Sequence, residues 1–345
     1  MSVNTEEIPY DFELERLVEE LKGVKKVLIQ LPDGLKKYSY FIVDSLSRSL
    51  GNIEIMVSID GGYGACDLKI SEAKLLNAEA LIHFGHTQYS LQEVPIESGK
   101  LRIIYVPAFY RGSIPESSVD DLAEALKREG LQRPSIVATV QHIRLIGELK
   151  AMLEKRGFHP IVTSPGRLLT GQIIGCDYSA VILSKEADSV VVITGGLFHS
   201  LGVSLSFEGP VFQIDPYSGR VGDLRKDKER WLKRRLAEMY RARDSSRWGI
   251  IVGTLTGQYR PSIVERLKRE ISSRGMKYYL FASSVLSKDN ILNIDSENID
   301  AYIVTSCPRI PIDDFTESPL HKPVLTPGEA ISVLEGRIEV YRFPW

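Results

Sequence analysis

The stretch that decides the fold is Lys25-Lys26-Val27-Leu28-Ile29-Gln30-Leu31-Pro32-Asp33-Gly34, followed by a helical pattern that closes at Gly51. Lys25–Gln30 is a short apolar run bounded by a turn signal, which reads as a buried strand. Leu35, Tyr38, Ile42, Leu46 and Leu50 then share one face of an amphipathic helix. Gly51 stands where a left-handed C-cap is needed. The same order returns twice. Pro134–Val140 and Arg247–Val252 are the matching strands. Ile143, Ile146, Leu149 and Leu153 mark the second helix, Ile263, Leu267 and Ile271 the third, and Gly157 and Gly275 end them.

Each unit continues in the same way. A second strand follows the glycine, at Ile53–Ile59, Pro160–Thr163 and Lys277–Ala282. A second helical stretch leads to a third, strongly apolar strand, at Ala80–Phe84, Ser189–Ile193 and Ala301–Val304. Short fourth runs close the units at Arg102–Val106, Pro210–Ile214 and Pro323–Leu325. Alternating strands and helices predict parallel sheets with right-handed crossovers. The chain therefore reads as three repeated α/β domains, 1–133, 134–246 and 247–345, with mostly parallel sheets around a pseudo-threefold axis.

Composition narrows the function. The 345 residues are 43% hydrophobic and 26% charged, an ordinary globular balance. A formal charge of −2 argues against a general nucleic-acid binder. No apolar run is long enough to span a membrane, and Met1–Glu7 lacks a signal-peptide pattern. A cytoplasmic location is expected. There are three cysteines, an odd number that cannot all pair within the chain. In a reducing compartment they read as buried thiols, metal ligands or nucleophiles.

Their placement favours ligands. Cys66 follows the second strand of unit one in Gly64-Ala65-Cys66-Asp67, and Cys176 follows that of unit two in Gly175-Cys176-Asp177. Cys307 differs: it follows the third strand of its unit, where unit one has Gly85 and His86. All three lie just beyond the carboxyl end of a predicted parallel strand, where open α/β sheets bind ligands. With those ends turned inward, three thiols converge. A structural zinc takes four ligands at short spacing, and no CxxC pair exists here. A [4Fe-4S] cluster is usually held by four thiolates, so three would leave one iron open. Three buried, unligated thiols are the competing reading.

The fragments Leu31-Pro32-Asp33-Gly34-Leu35, Tyr63-Gly64-Ala65-Cys66-Asp67, Gly175-Cys176-Asp177, Asp215-Pro216-Tyr217, Gly253-Thr254-Leu255, Ser306-Cys307-Pro308-Arg309-Ile310 and Leu325-Thr326-Pro327-Gly328-Glu329 together resemble the archaeal-type diphthamide synthase family. The resemblance covers essentially the whole chain. It implies a 2-(3-amino-3-carboxypropyl)histidine synthase, the enzyme of the first step of diphthamide biosynthesis. Such an enzyme binds S-adenosylmethionine at the open iron of a [4Fe-4S] cluster. It moves the 3-amino-3-carboxypropyl group, by a radical route, to a histidine of translation elongation factor 2 and releases methylthioadenosine. The resemblance assigns Cys66, Cys176 and Cys307 as cluster ligands and catalytic residues, and it implies a homodimer served by an electron donor. Quinolinate synthase shares the outline of three α/β units and three cysteines. A non-catalytic, electron-supplying subunit and a metal-free binding protein are readings of other classes.

Other candidates are less specific. The loop Gly253–Gln258 opens a helix after a strand, so Gly253, Thr254 and Gln258 are candidates for a carboxylate or ribose, with a plain strand–helix turn as the alternative. Arg309 is a candidate partner of the cofactor carboxylate. Asp215 is read as a ribose or amine contact or a turn former. His199 and His86 lie in third-strand loops on the same rim, where a lone histidine is commonly a structural hydrogen-bonder. The basic stretch Arg225–Arg243 reads as a solvated helix with Trp231, Leu232, Leu236 and Met239 turned inward, the alternative being a docking surface for an acidic protein face. Single Cys66→Ala, Cys176→Ala and Cys307→Ala variants are each expected to lose most of the bound iron after anaerobic reconstitution. Wild-type iron content in all three would rule out ligation.

Overall fold

The computed structural model describes residues 8–62, 64–89, 93–96, 99–255, 257–284, 287–314 and 320–344; Tyr63 and Thr256 of the loops quoted above lie outside them. Three mostly parallel sheets dominate. The first runs in the order Glu54–Ser58, Lys26–Gln30, Ala80–Phe84, Gly99–Val106, Glu93–Ile96, and only the last strand is antiparallel to its neighbour. The second runs Val221–Asp223, Val211–Ile214, Ser189–Ile193, Pro134–Ala138, with Val221–Asp223 antiparallel. The third, Lys277–Ser283, Arg247–Gly253, Ala301–Val304, Val324–Leu325, is parallel throughout. The α/β class with mostly parallel sheets is as the pattern predicts.

Local signals translate directly into elements. Ala80–Phe84, Ser189–Ile193 and Ala301–Val304 are buried along their whole length, which is why they read as unbroken apolar runs. The three amphipathic helices form at Ser39–Leu50, Leu145–Glu154 and Pro261–Ser272. Gly51, Gly157 and Gly275 follow them with φ of 71°, 86° and 70°, a conformation costly to any residue with a Cβ.

One strand does not form as expected. Pro160–Thr163 contributes only a bridge between Ile161 and Ser135, and a separate bridge joins Gln172 to Ala138. Ile161 N donates to Pro134 O and Ile161 O accepts from Ile136 N, after which Gly171 O takes the N–H of Ala138. The edge beside Pro134–Ala138 is therefore shared between two short segments of the chain.

Each sheet is covered by the helix that precedes it. Leu17 and Leu21, with Ile42 and Leu46, pack over Val27, Ile29 and Ile82. Val119, Leu122 and Leu126 of Glu116–Arg128 join Leu149 and Leu153 over Ile136 and Ile193. Met239 and Ala242 join Leu267 and Ile271 over Trp248, Ile250 and Ile303. The helices Glu116–Arg128 and Arg225–Arg241 thus bury their apolar faces against the sheet that follows them in the chain.

The basic helix Arg225–Arg241 carries the expected exposed pairs, such as Lys233 with Glu229 at 2.6 Å, and buries Met239. Arg235 departs from the solvated pattern, for it is 3% exposed. Its Nε and Nη2 donate to Glu329 Oε1 and Oε2 at 2.7 and 2.6 Å, and Nη1 and Nη2 donate to the carbonyls of Pro311 and Val324 at 2.8 Å each. Glu329 also completes the capping box of Pro327–Leu334 with Thr326. Pro311 lies just beyond Cys307, so this ion pair braces the segment behind the third thiol. Removing one member strands a buried charge. Arg235→Ala should lower the unfolding free energy by about 3–5 kcal/mol in urea titrations. A loss below about 1 kcal/mol, the scale of an exposed pair, would show that the pair is not a structural brace.

Candidate functional site

The three cysteines line one cavity of about 160 Å³, together with His86, His199, Gln258, Arg260, Tyr89 and Arg309 among others. Each thiol arrives on its own loop. Asp67 N donates to Gly64 O at 2.9 Å, closing the turn that presents Cys66. Ile174 and Asp177 exchange backbone hydrogen bonds of 3.2 and 3.1 Å across Gly175-Cys176, a tight hairpin tip. Asp177 then accepts from Ser179 N at 2.9 Å and opens the short helix Ser179–Ile182. Cys307 leaves the buried strand Ala301–Val304, and its carbonyl accepts from Ile310 N at 3.2 Å.

The loop after Arg247–Gly253 joins the other two. Gly257 N donates to Cys66 O at 3.2 Å, and a Cβ on Gly257 would stand 2.5 Å from Cys66 Cα. Only glycine permits that approach. Gln258 Nε2 lies 3.7 Å from Cys66 Sγ as a donor. Arg260 and the hydroxyl of Tyr89 both hydrogen-bond Cys176, and the backbone N–H of Arg309 points at Cys307. Every sulfur therefore has at least one donor aimed at it.

Electrostatics set the terms of binding. Burial pushes the Cys66 thiol up to about 11, with Cys176 nearby adding to the effect and the Gln258 hydrogen bond opposing it. Burial raises Cys176 as well, against Arg260 and Tyr89. Cys307 rises to about 12 through burial and the proximity of Cys66. Burial lowers both His86 and His199 to about 4, and Arg309 contributes at His199. No carboxylate is among the described residues that line the cavity, whereas Arg260 and Arg309 are. The surroundings thus favour a ligand that turns three thiols into thiolates.

The donor set fits an iron–sulfur cluster. Three sulfurs with their own hydrogen-bond donors face one space, and none is in a disulfide. Among the described residues no three His, Cys, Asp or Glu side chains are gathered as ligands of a single ion. A lone zinc draws its sulfurs to roughly 2.3 Å from one centre, whereas a polynuclear cluster occupies the space between more widely spaced thiols.

The other sequence candidates divide. Gln258, Arg309 and His199 line the cavity, as does His86. Gly253 packs against Ser306 beside Cys307, where a Cβ would come within 2.4 Å of the serine Cβ, and it is outside the cavity wall. Thr254 is exposed, its N–H on Ser283 O at 2.9 Å, also outside the wall. Asp215 accepts from Tyr217 N at 2.9 Å and Ser218 Oγ at 2.7 Å, forming its own turn away from the wall. Sequence reading passed over Tyr89 and Arg260. The signal for Arg260 was its place directly before Pro261, at the end of the loop already singled out.

Fold and site together define an α/β protein whose three mostly parallel sheets pool one thiol each at a common cavity. A family model for diphthamide synthesis proteins matches residues 31–342. The chain is 34% identical over 331 residues to the 2-(3-amino-3-carboxypropyl)histidine synthase of Pyrococcus horikoshii, covering 95% of this chain and 91% of that protein. It is 31% identical over 332 residues to subunit 1 of the Homo sapiens synthase, covering 94% of this chain and 72% of that one. The crystal structure of Dph2 from Pyrococcus horikoshii with a 4Fe-4S cluster matches with a TM-score of 0.83 at 32% identity, over 97% of this chain and 94% of that one. The chain belongs to the diphthamide synthesis protein family.

Gly257→Ala tests the joint between loops. The folded protein should persist by circular dichroism, while iron bound after reconstitution falls several-fold because Cys66 is displaced. Full iron loading would show that the close approach does not position Cys66.

Proposed function

We propose that this protein is a 2-(3-amino-3-carboxypropyl)histidine synthase. It transfers the 3-amino-3-carboxypropyl group of S-adenosylmethionine to a histidine of translation elongation factor 2, the first step of diphthamide biosynthesis, and releases methylthioadenosine. The observation that carries this reading is the convergence of Cys66, Cys176 and Cys307 on one cavity in a chain that aligns with the Pyrococcus horikoshii synthase over nearly its full length. Cys66, Cys176 and Cys307 would hold three irons of a [4Fe-4S] cluster and leave the fourth for the amino acid end of S-adenosylmethionine. When bound and reduced, the cluster supplies the electron that cleaves the bond between the sulfonium sulfur and the γ-carbon.

The chain's own residues have defined tasks in this reading. Gln258, Tyr89 and Arg260 donate to the sulfurs and temper their charge. Arg309 and Arg260 make the cavity attractive to a carboxylate, with Arg309 also 6.0 Å from the Phe198 ring centroid. Gly253, Thr254 and Asp215 stay as candidates for cofactor contact only in an arrangement that brings them to the wall. The protein works in the cytoplasm as a homodimer, each of the units 1–133, 134–246 and 247–345 giving one thiol, with a separate electron donor. No described helix is long and apolar enough to cross a membrane.

The test uses protein purified anaerobically, reconstituted with iron and sulfide, reduced, and mixed with labelled S-adenosylmethionine and unmodified elongation factor 2. Label on one histidine with matching release of methylthioadenosine is the expected result. A protein that forms no iron–sulfur chromophore would sink the reading.

A further inference from the structure

His86 stands at the cavity wall, and its ring is set by a chain of hydrogen bonds whose direction is decided at the far end. Gln30 is buried in the first sheet, with Nε2 2.6 Å from the carbonyl oxygen of Asp67 and Oε1 3.2 Å from the backbone nitrogen of Lys69. A carbonyl only accepts and a backbone N–H only donates, so the amide orientation is determined twice over. Oε1 is therefore the atom that faces Nδ1 of His83 at 3.0 Å, and that nitrogen carries the proton. A neutral imidazole has one N–H, so Nε2 of His83 accepts. The atom 2.9 Å from it is Nδ1 of His86, which must be the donor. The carbonyl of Phe84 is a further acceptor at this ring, and with Nδ1–H as the donor the lone pair of His86 is left on Nε2. That nitrogen lies beside Gly64, where a Cβ would stand 3.8 Å from it and 3.8 Å from Cys66 Sγ.

Burial keeps both rings neutral: His83 is held well below the usual histidine range and His86 at about 4. Among the other polar groups of the wall, His199 is a second neutral imidazole with no hydrogen bond among the described residues to fix its tautomer, and Ser306 Oγ is buried without a partner. Gln258, Tyr89 and Arg260 serve sulfurs, and Gln141 donates to the carbonyl of Gly85. The chain starts at Asp67, next to Cys66, so the loop that presents a thiol also dictates the tautomer of the histidine across from it.

We propose that Nε2 of His86 is the proton acceptor of the group transfer, with Gln30 and His83 as positioning residues. This rests on the reading given under Proposed function. In net terms the bond between sulfonium sulfur and γ-carbon breaks, and the sulfur leaves as a neutral thioether. A carbon–carbon bond forms at the imidazole carbon of the acceptor, and the hydrogen of that carbon departs as a proton. The electron supplied for cleavage returns as the ring regains aromaticity, so the transfer is redox-neutral and yields one proton. The cavity wall offers no carboxylate among its described residues to take that proton. Of the two imidazoles at the wall, His86 is the one whose lone pair hydrogen bonding directs, onto Nε2, and its imidazolium would keep the hydrogen bond to His83.

Two measurements test this separately. In metal-free protein labelled with 15N-histidine, long-range 1H–15N spectra should show His86 as the Nδ1–H tautomer. Finding the Nε2–H tautomer overturns the proposal whatever the holoenzyme does, and this readout needs no variant. In the reconstituted holoenzyme, His86→Gln should keep the iron–sulfur chromophore and hold methylthioadenosine release within about 3-fold, while transfer to elongation factor 2 falls about 100-fold. Gln30→Leu, which frees His83 to take either tautomer, should shift the His86 signal and lower the ratio of transfer to methylthioadenosine. Undiminished transfer by His86→Gln overturns the proposal, and so does a parallel loss of both products with the cluster intact. If the unaltered protein yields neither product, the functional reading fails while the tautomer result stands on its own.

Discussion

Three thiols must share one partly buried cavity, and burial opposes the ionisation of each. That cost organises the site. A thiolate in such a place needs a cation beside it or donors aimed at it, and here both are provided from different parts of the chain. Gln258 answers Cys66, Tyr89 and Arg260 answer Cys176, and a backbone N–H answers Cys307. Hydrogen bonds alone leave the thiols protonated at neutral pH, since Cys66 and Cys307 sit near 11 and 12. A multiply charged metal cluster between them would supply the missing positive charge.

The fold meets this demand through strand direction. Parallel strands put their carboxyl ends on one edge of each sheet, and the loops from those edges reach a common space. The joints are made of close contacts rather than long bridges. Gly257 touches the backbone of Cys66, and Gly175 sits so near Phe198 that a Cβ would meet its ring at 2.5 Å. On the outside, Arg235 and Glu329 fix the segment after Cys307 from behind. Errors of an ångström in these supports would move a sulfur relative to its partners, which is why buried charge is tolerated there despite its desolvation cost.

What was legible in the sequence was whatever local pattern encodes. Unbroken apolar runs marked the central strands, spacings of three and four marked the helices, and Gly51, Gly157 and Gly275 marked their ends. The cysteines stood out because each follows a predicted strand, although the one before Cys176 forms only isolated bridges. Contacts between units left no local trace. Arg235 belongs to a stretch that looks uniformly solvated, and its partner is 94 residues away. Tyr89 and Arg260 matter because their loops meet at Cys176, which neither loop's own pattern announces. Pro160–Thr163 looked like its repeat equivalents, but the chain leaves the edge after Ile161 and Gly171 takes the place beside Ala138.

The departure from threefold order at Cys307 bears on the chemistry. The loop after Glu54–Ser58 and the turn after the Gln172 bridge bring Cys66 and Cys176 to the cavity, and the segments after the third strands bring His86, His199 (in the helix Leu197–Ser206) and Cys307. The third unit thus places its thiol where the other two place imidazoles. The side of Cys66 and Cys176 is then met by Gln258 and Arg260 from a first-strand loop. Exchanging one thiol between tiers leaves three thiols unevenly arranged, with imidazoles on the same tier as one of them. A strictly repeated site would offer three equivalent ligands and no distinct wall. The broken repeat gives the cavity one side lined by two thiols and another where a thiol stands beside two imidazoles.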